Sequence, residues 1–362
     1  MNIAMAYGFF SSSSHGPFTP SNLYGTRALT GSESSFFNAA IGLAELGHAV
    51  TVFCDCKGEA TVSNVWFMPL RALEGLPFMR NTQVVIAWNE PDLLAFAPSG
   101  ALKVVDQQLN DWPYCRHPKW QEMPDLYVFP SISSMNNHRS QPVLMDRIKG
   151  RMDVIPNSCN LEHFSRGHVQ RNSNRVIWAS SPDRGLHHLL EMWMHVRGLR
   201  PDAHLKIFYR IYEWLDRMKD EPSELGMRAR SVAANLAALR HSGVEVCGPV
   251  DNLRMAVEYQ SAAVLAYPCD PVSYTEGFGC TVLDACAGGC QPVISNADAL
   301  PEAHGAAAVV MDTFDRYLWA SAIVDEMGTI GARSAEMRAH ANAHSRARVA
   351  AQWERTLWTL QR

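Results

Sequence analysis

The chain has 362 residues, 47% hydrophobic and 19% charged, with 32 Lys and Arg against 36 Asp and Glu for a formal net charge of −4. Apolar residues are plentiful and Gly and Pro stay near average use, which excludes a disordered or collagen-like chain. There is no positive excess of the kind that marks nucleic-acid binding, so no nucleic-acid partner is expected.

At roughly 100–200 residues per domain, the length suggests two domains, each able to bury its own core. Nine cysteines at scattered spacings do not read as a secreted disulfide framework. Cys54-x-Cys56 and Cys115-x-His117 each lack a second half at zinc-finger spacing, so no metal is expected. Residues 1–8 lack the basic segment and apolar run of a signal peptide, and no run approaches the ~20 apolar residues of a membrane-crossing helix. The expectation is a cytoplasmic chain.

In chain order, Ile3 to Tyr7 reads as a first strand. It leads into a Ser-, Gly- and Pro-rich loop from Gly8 to about Thr30, long enough to be functional. A helix follows with Phe36, Phe37, Ala40, Leu43 and Ala44 on one stripe and Gly47 as its stop. Ala49 to Cys54, Val84 to Trp88, Val104-Val105, Leu126 to Phe129 and Val154-Ile155 are short apolar runs suited to buried parallel strands. The polar stretch Asn160 to Asn174 has no periodicity and reads as a junction. Beyond it the rhythm resumes. Val176 to Ala179 precedes a helix with Leu186, Leu189, Leu190 and Trp193 at i, i+3, i+4, i+7, and further strands are expected at Leu205 to Tyr209, Val244 to Cys247, Ala263 to Tyr267 and Pro292 to Ile294. Alternating strands and helices predict two doubly wound parallel α/β sheets, with a ligand expected in a cleft facing the carboxyl ends of both.

Residues 273–289 are the most informative stretch. A strand ending at Tyr267-Pro268 feeds a loop, and Glu276-Gly277-Phe278-Gly279 opens a helix near Cys280 or Thr281. The glycines let backbone approach a ligand closely, and the free N–H groups and dipole of the helix start suit a diphosphate. Asp284, eight residues after Glu276, lies about two turns up on nearly the same face, so both carboxylates can address one elongated ligand. Arg184 stands near another helix N-terminus, where a cation is unfavourable unless it meets a bound anion.

These residues carry a resemblance. Glu276-x7-Asp284 with Gly277-Phe278-Gly279 between, and 287–294 (AGGCQPVI) after, resembles the E-G-F-G-x4-E-A-x-A-x-G-x-P-V-I signature of family-four retaining glycosyltransferases of the GT-B fold, with Asp for the second Glu. Residues 155–160 followed by Phe164, the Ser180 to Leu186 turn, Gly248-Pro249-Val250 with Leu253 and Tyr259, and a terminal helix over Ala350 to Leu360 extend the likeness along most of the chain. The resemblance implies domains over 1–165 and 166–345, with 346–362 crossing back to the first. It implies Glu276 on donor-sugar hydroxyls, Asp284 on the ribose, the amides of Gly277, Phe278 and Gly279, with Cys280 and Thr281, on sugar and diphosphate, and Arg184 on the phosphates. Arg210 is a weaker phosphate candidate.

The first half departs further. Thr30-Gly31-Ser32-Glu33 stands where the family has Gly-Gly, so Gly31 and Ser32 are candidates to offer amides to phosphate. The family's sugar-contacting His is missing from Asn89-Glu90-Pro91 and Leu109-Asn110-Asp111; Asn110 and Asp111 are the proposed substitutes, with His15 and His117 as outsiders. Arg147, Lys149 and Arg151 suggest weak peripheral membrane contact or simply a solvated face.

The implied activity is retaining transfer of a hexose-type sugar from a UDP- or GDP-linked donor to a hydroxyl acceptor, in glycan, glycolipid or glycoconjugate biosynthesis. No Asp-x-Asp triplet is present, so a metal-independent reaction without further cofactor is expected. A GT-B-like binding protein without activity and a GT-B sugar epimerase stay open. A nicotinamide-dependent oxidoreductase would need G-x-G-x-x-G after an early strand, which Gly8-Phe9-Phe10-Ser11 does not supply.

Overall fold

The computed structural model describes residues 1–8, 19–25, 27–74, 80–112, 115–141, 148, 150–167 and 169–361. The chain divides into two compact units, Met1–Asn160 with Ala343–Arg362, and Leu161–Asn342.

Unit 1 contains β1 (Asn2–Tyr7), α1 (Gly31–Glu45), β2 (Ala49–Cys54), β3 (Ala60–Val62), β4 (Val65–Pro69), β5 (Val84–Trp88), β6 (Leu102–Asp106), β7 (Leu126–Phe129), α2 (Ile132–Arg139) and β8 (Arg151–Val154). Among the described residues these strands form one sheet in the order β3-β4-β2-β1-β5-β6-β7-β8, parallel except for β3 against β4. β1 is buried from Ile3 to Tyr7 between β2 and β5, as expected of a central parallel strand. α1 starts on a capping box: Thr30 Oγ1 accepts from the Glu33 amide, and the Glu33 carboxylate accepts from the Thr30 amide. Phe36, Phe37, Ala40, Leu43 and Ala44 on α1 are buried, and Gly47 follows at φ +88°.

Three strands were not legible in the sequence. β3 and β4 join through Ser63 and Asn64, both at positive φ as a two-residue hairpin requires, without the usual glycine. The third, β14, lies in unit 2.

Unit 2 runs through β9 (Asn172–Trp178), α3 (Leu186–Leu199), β10 (His204–Ile207), α4 (Ile211–Met218), α5 (Glu224–Ala238), β11 (Val244–Val246), α6 (Asn252–Ser261), β12 (Ala262–Tyr267), α7 (Cys280–Gly288), β13 (Gln291–Ser295), α8 (Leu300–His304), β14 (Val309–Met311), α9 (Arg316–Gly328) and α10 (Ser334–Ala343). Its described strands form an all-parallel sheet, β11-β10-β9-β12-β13-β14. Leu186, Leu189, Leu190 and Trp193 all enter its core beside Trp178 and Trp319. Side chains of that size contribute about 1.5–3 kcal/mol each when buried.

The last helix, α11 (Arg346–Leu360), belongs to unit 1 and packs on α1. A Cβ on Gly42 would meet the Ala350 Cβ at 2.6 Å, so this glycine sets the close approach of the two helices. Val349, Trp353 and Leu357 complete the seam, and Arg346 pairs with Glu45 at 2.7 Å. No helix among the described residues is long and apolar enough to cross a membrane.

Candidate functional site

In a parallel sheet flanked by helices, ligands meet the carboxyl ends of the strands. In unit 2 the central pair β9 and β12 ends at Trp178 and Tyr267, followed by the turns into α3 and α7. Arg184 and Glu276 sit on these two turns and are brought together: Arg184 Nη1 lies 2.6 Å from Glu276 Oε2. Glu276 is 5% exposed, while the Arg184 side chain keeps 28% exposure. Burial is the largest influence and opposes the Arg184 charge, but Glu276 together with Tyr267, Asp183 and Cys269 outweighs it and holds the guanidinium well above its usual value. Arg184 Nε is buried without a hydrogen-bond partner among the described residues. Such a donor, with the pair, suits an incoming anion.

Three residues that the sequence did not mark as part of the site build this cluster. The Tyr267 hydroxyl donates to Glu276 and meets Ser180 Oγ at 3.0 Å. Burial raises the Tyr267 hydroxyl well above its ordinary value, so it stays protonated. Asp298, at φ +50°, accepts from the amides of Thr275 and Glu276, each at 2.9 Å, and so fixes the turn that presents Glu276. His304 is fully buried; its Nε2 lies 2.8 Å from the Phe278 carbonyl and its Nδ1 2.9 Å from His340 Nε2. No local spacing signals Asp298 or His304, because both reach the turn from beyond β13.

α7 starts at Cys280, as expected, with Gly279 at its N-cap in the left-handed region at φ +95°. A Cβ there would meet Leu300 Cδ2 at 2.7 Å and His304 Nε2 at 3.0 Å, so this position requires glycine on both counts. The helix end is fixed too: Gly289 follows at φ +73°, and Arg171 donates to the carbonyls of Gly288, at 2.8 Å, and Gly289. Gly277, Phe278 and Gly279 are buried, whereas Cys280 and Thr281 are partly exposed. Thr281 Oγ1 is 2.6 Å from the Tyr259 hydroxyl. Asp284 is one turn further along; burial pushes its carboxyl up to about 7. Arg210 follows β10 and faces Glu213 at 3.5 Å.

In unit 1, Ser32 Oγ accepts from Trp88 Nε1 at 3.1 Å and Asn89 Nδ2 at 3.3 Å, and lies 3.5 Å from the Tyr7 hydroxyl. Gly31 and Ser32 form the first turn of α1, whose third amide is taken by Thr30. Asn89, at φ +61°, is the residue that organises this region. Its Oδ1 accepts from the amides of Gln108 and Leu109 at 2.7 and 3.1 Å, fixing the loop that carries Asn110 and Asp111. The Asn110 carbonyl accepts from Gln141, its Oδ1 is buried without a partner among the described residues, and Asp111 is exposed. The His117 amide is held by Asp92. Arg151 is exposed at the start of β8, while His15, Arg147 and Lys149 lie outside the described residues, as do residues 9–18 and 26 of the loop expected between Gly8 and Thr30.

Residues 176–327, within unit 2, match the family model described as Glycosyl transferases group 1. Among solved structures the chain is similar to AviGT4, a glycosyltransferase involved in avilamycin A biosynthesis, at 14% identity and TM-score 0.70 over 100% of this chain and 98% of that one. It is also similar to sucrose-phosphate synthase from Thermosynechococcus elongatus, at 13% identity and TM-score 0.69 over 99% of each chain. A further likeness is to E. coli trehalose-6-phosphate protein bound with UDP-2-fluoro glucose, at 10% identity and TM-score 0.63 over 99% of each chain. Among curated proteins, none matches. The fold is thus that of GT-B glycosyltransferases, and its second unit carries the group 1 sequence match that supports sugar transfer.

Proposed function

We propose that this chain is a retaining glycosyltransferase that moves a hexose-type sugar from a UDP- or GDP-linked donor to a hydroxyl acceptor, in glycan, glycolipid or glycoconjugate biosynthesis. The carrying observation is the Arg184–Glu276 pair, 2.6 Å apart, on the two turns that flank β9 and β12. Retention and the nucleotide-sugar donor rest on the resemblance of 276–294 to the family-four signature, with the UDP-linked sugar of the E. coli neighbour in support of the donor class.

In the reaction, the anomeric C–O bond breaks as negative charge grows on the leaving diphosphate. Arg184, the backbone amides of 277–279 and the α7 N-terminus supply fixed positive potential toward that charge. Glu276, held by Tyr267 and the Asp298-fixed turn, accepts hydrogen bonds from donor-sugar hydroxyls, and Asp284 from the ribose. The leaving phosphate oxygen takes the acceptor proton as the acceptor hydroxyl attacks the same face, so no protein base is required. The positive groups named are all side chains and amides of this chain, which is why transfer is proposed to need no metal.

The test is a thermal-shift screen of nucleotide sugars, followed by assay of the stabilising donor with and without EDTA and by NMR of the product anomer. One donor is expected to raise Tm and to be hydrolysed or transferred, with the anomeric configuration kept and the rate unchanged within about twofold by EDTA, a difference of under ~0.5 kcal/mol in barrier. Binding without turnover would point to a sugar-nucleotide-binding protein. An inverted product or EDTA-sensitive transfer would overturn the mechanism.

A further inference from the structure

His187 and His188 occupy the first turn of α3, directly after Gly185, with ring centroids 4.0 Å apart. Asp270 approaches them from the loop after β12: its amide donates to the Arg184 carbonyl at 3.3 Å, and its Oδ2 is 2.8 Å from His188 Nε2. One nitrogen or oxygen from each of His187, His188 and Asp270 lies within 4.8 Å of the other two. Ligand atoms about 2.0–2.1 Å from a tetrahedral zinc ion stand roughly 3.3 Å apart, so small side-chain shifts close this triangle on an ion.

A second observation points the same way. His187 is 8% exposed, and its Nδ1 is buried without a hydrogen-bond partner among the described residues. An orphaned imidazole nitrogen in a protein interior is a rarity that a ligand explains. Arg228 donates to the Asp270 carbonyl and lies 3.2 Å from its Oδ2, the outer contact that commonly orients a ligating carboxylate. Glu224, 2.6 Å from Arg228, offsets the arginine charge. His188 also borders a cavity of about 550 Å³, lined further by Glu191, Asp315 and Arg316, which brings solvent to one of the three ligands.

We propose that His187, His188 and Asp270 form a binding site for a divalent transition ion of the zinc class, separate from the diphosphate groups. Two imidazoles and one carboxylate are the donor set that zinc and cobalt accept readily. The ion braces the first turn of α3 against the loop after β12, and no step of sugar transfer passes through it, so chelating it lowers Tm and leaves the rate of transfer well below Tm unchanged.

Metal-stripped full-length protein is titrated with Zn²⁺ by calorimetry and with Co²⁺ by visible absorption. The expected result is one equivalent bound, tetrahedral Co²⁺ bands without thiolate charge-transfer absorption, and a higher Tm with the ion. The variant His187→Gln/His188→Gln is expected to lose at least about 100-fold in affinity. Paramagnetically shifted imidazole N–H protons in the wild-type Co²⁺ protein decide the case if that variant does not fold. The absence of saturable binding, thiolate bands from the nine cysteines, or undiminished affinity in the variant would overturn the site. Because no nucleotide is present, the outcome is independent of the donor reading.

Discussion

Arg184 and Glu276 face one another in the structure, whereas the family resemblance gives one to phosphate and the other to sugar. Both hold if the pair is the resting arrangement, in which each charge neutralises the other until a donor offers a phosphate to Arg184 and hydroxyls to Glu276. Glu276→Ala then removes the hydroxyl contact in the transition state and is expected to cut transfer about 10²-fold or more, measured as initial rate at saturating donor. An unchanged rate would remove Glu276 from the site. The substitution also leaves Arg184 half-buried without its ion-pair partner, so a lower Tm is expected as well. Residues whose role depends on local backbone were legible in sequence: Glu276, the two glycines and the α7 start announce themselves within five positions. Tyr267, Asp298, His304 and Asn89 were not, since each acts through contacts outside its own segment, Asn89 and Asp298 from a left-handed backbone.

At the scale of elements, the site depends on how closely two turns approach. Gly185, at φ +107°, is the N-cap of α3, and a Cβ on it would collide with the Pro268 carbonyl at the end of β12. Gly185→Ala therefore forces apart the segments that carry Arg184 and Glu276 and adds backbone strain. We expect a loss of about 3 kcal/mol or more in unfolding free energy by denaturant titration, with donor binding lost along with it. A neutral substitution would mean that the turn tolerates displacement. Helices with a clear stripe and a punctuating glycine, α1 and α3, were readable along nearly their full length. β3, β4 and β14 escaped because they are three to five residues long, and because the hairpin turns on Ser63-Asn64 in place of Asn-Gly. Segments this short carry too little periodicity to separate them from loop, and β3 and β14 are edge strands besides.

For the molecule as a whole, near-neutral charge conceals buried groups with displaced titrations. Burial pushes the Asp106 carboxyl up to about 8 and that of Asp284 up to about 7, against an ordinary 3.8, while burial moves His187 down to about 4. A raised carboxyl stabilises the fold fully below its unfolded value and loses that contribution as pH rises through the folded one. A lowered histidine does the reverse, contributing above its unfolded value and losing it as pH falls toward 4. Between about pH 7 and 8, above most of the change from the lowered histidines and below that from the buried thiols, Tm is expected to fall with pH and Asp106→Asn/Asp284→Asn to flatten the slope. A slope unchanged in the variant would show these carboxyls ionised in the fold. Both parallel sheets were foreseeable from alternating strands and helices, and the group 1 match falls on the half where the sequence signature is densest. The first unit was harder to read because its polar network, Tyr7, Ser32, Asn89 and Gln108, draws on four separate segments. In the proposed reaction, unit 2 holds a nucleoside diphosphate through Arg184 and the start of α7. Calorimetric titration of UDP and GDP into the full-length protein and its Arg184→Ala variant tests it most directly. One of the two is expected to bind with a stoichiometry of one and to lose about 10–100-fold in affinity in the variant, the worth of a charge-assisted contact. Binding of neither, or equal affinity for both forms of the protein, would contradict it.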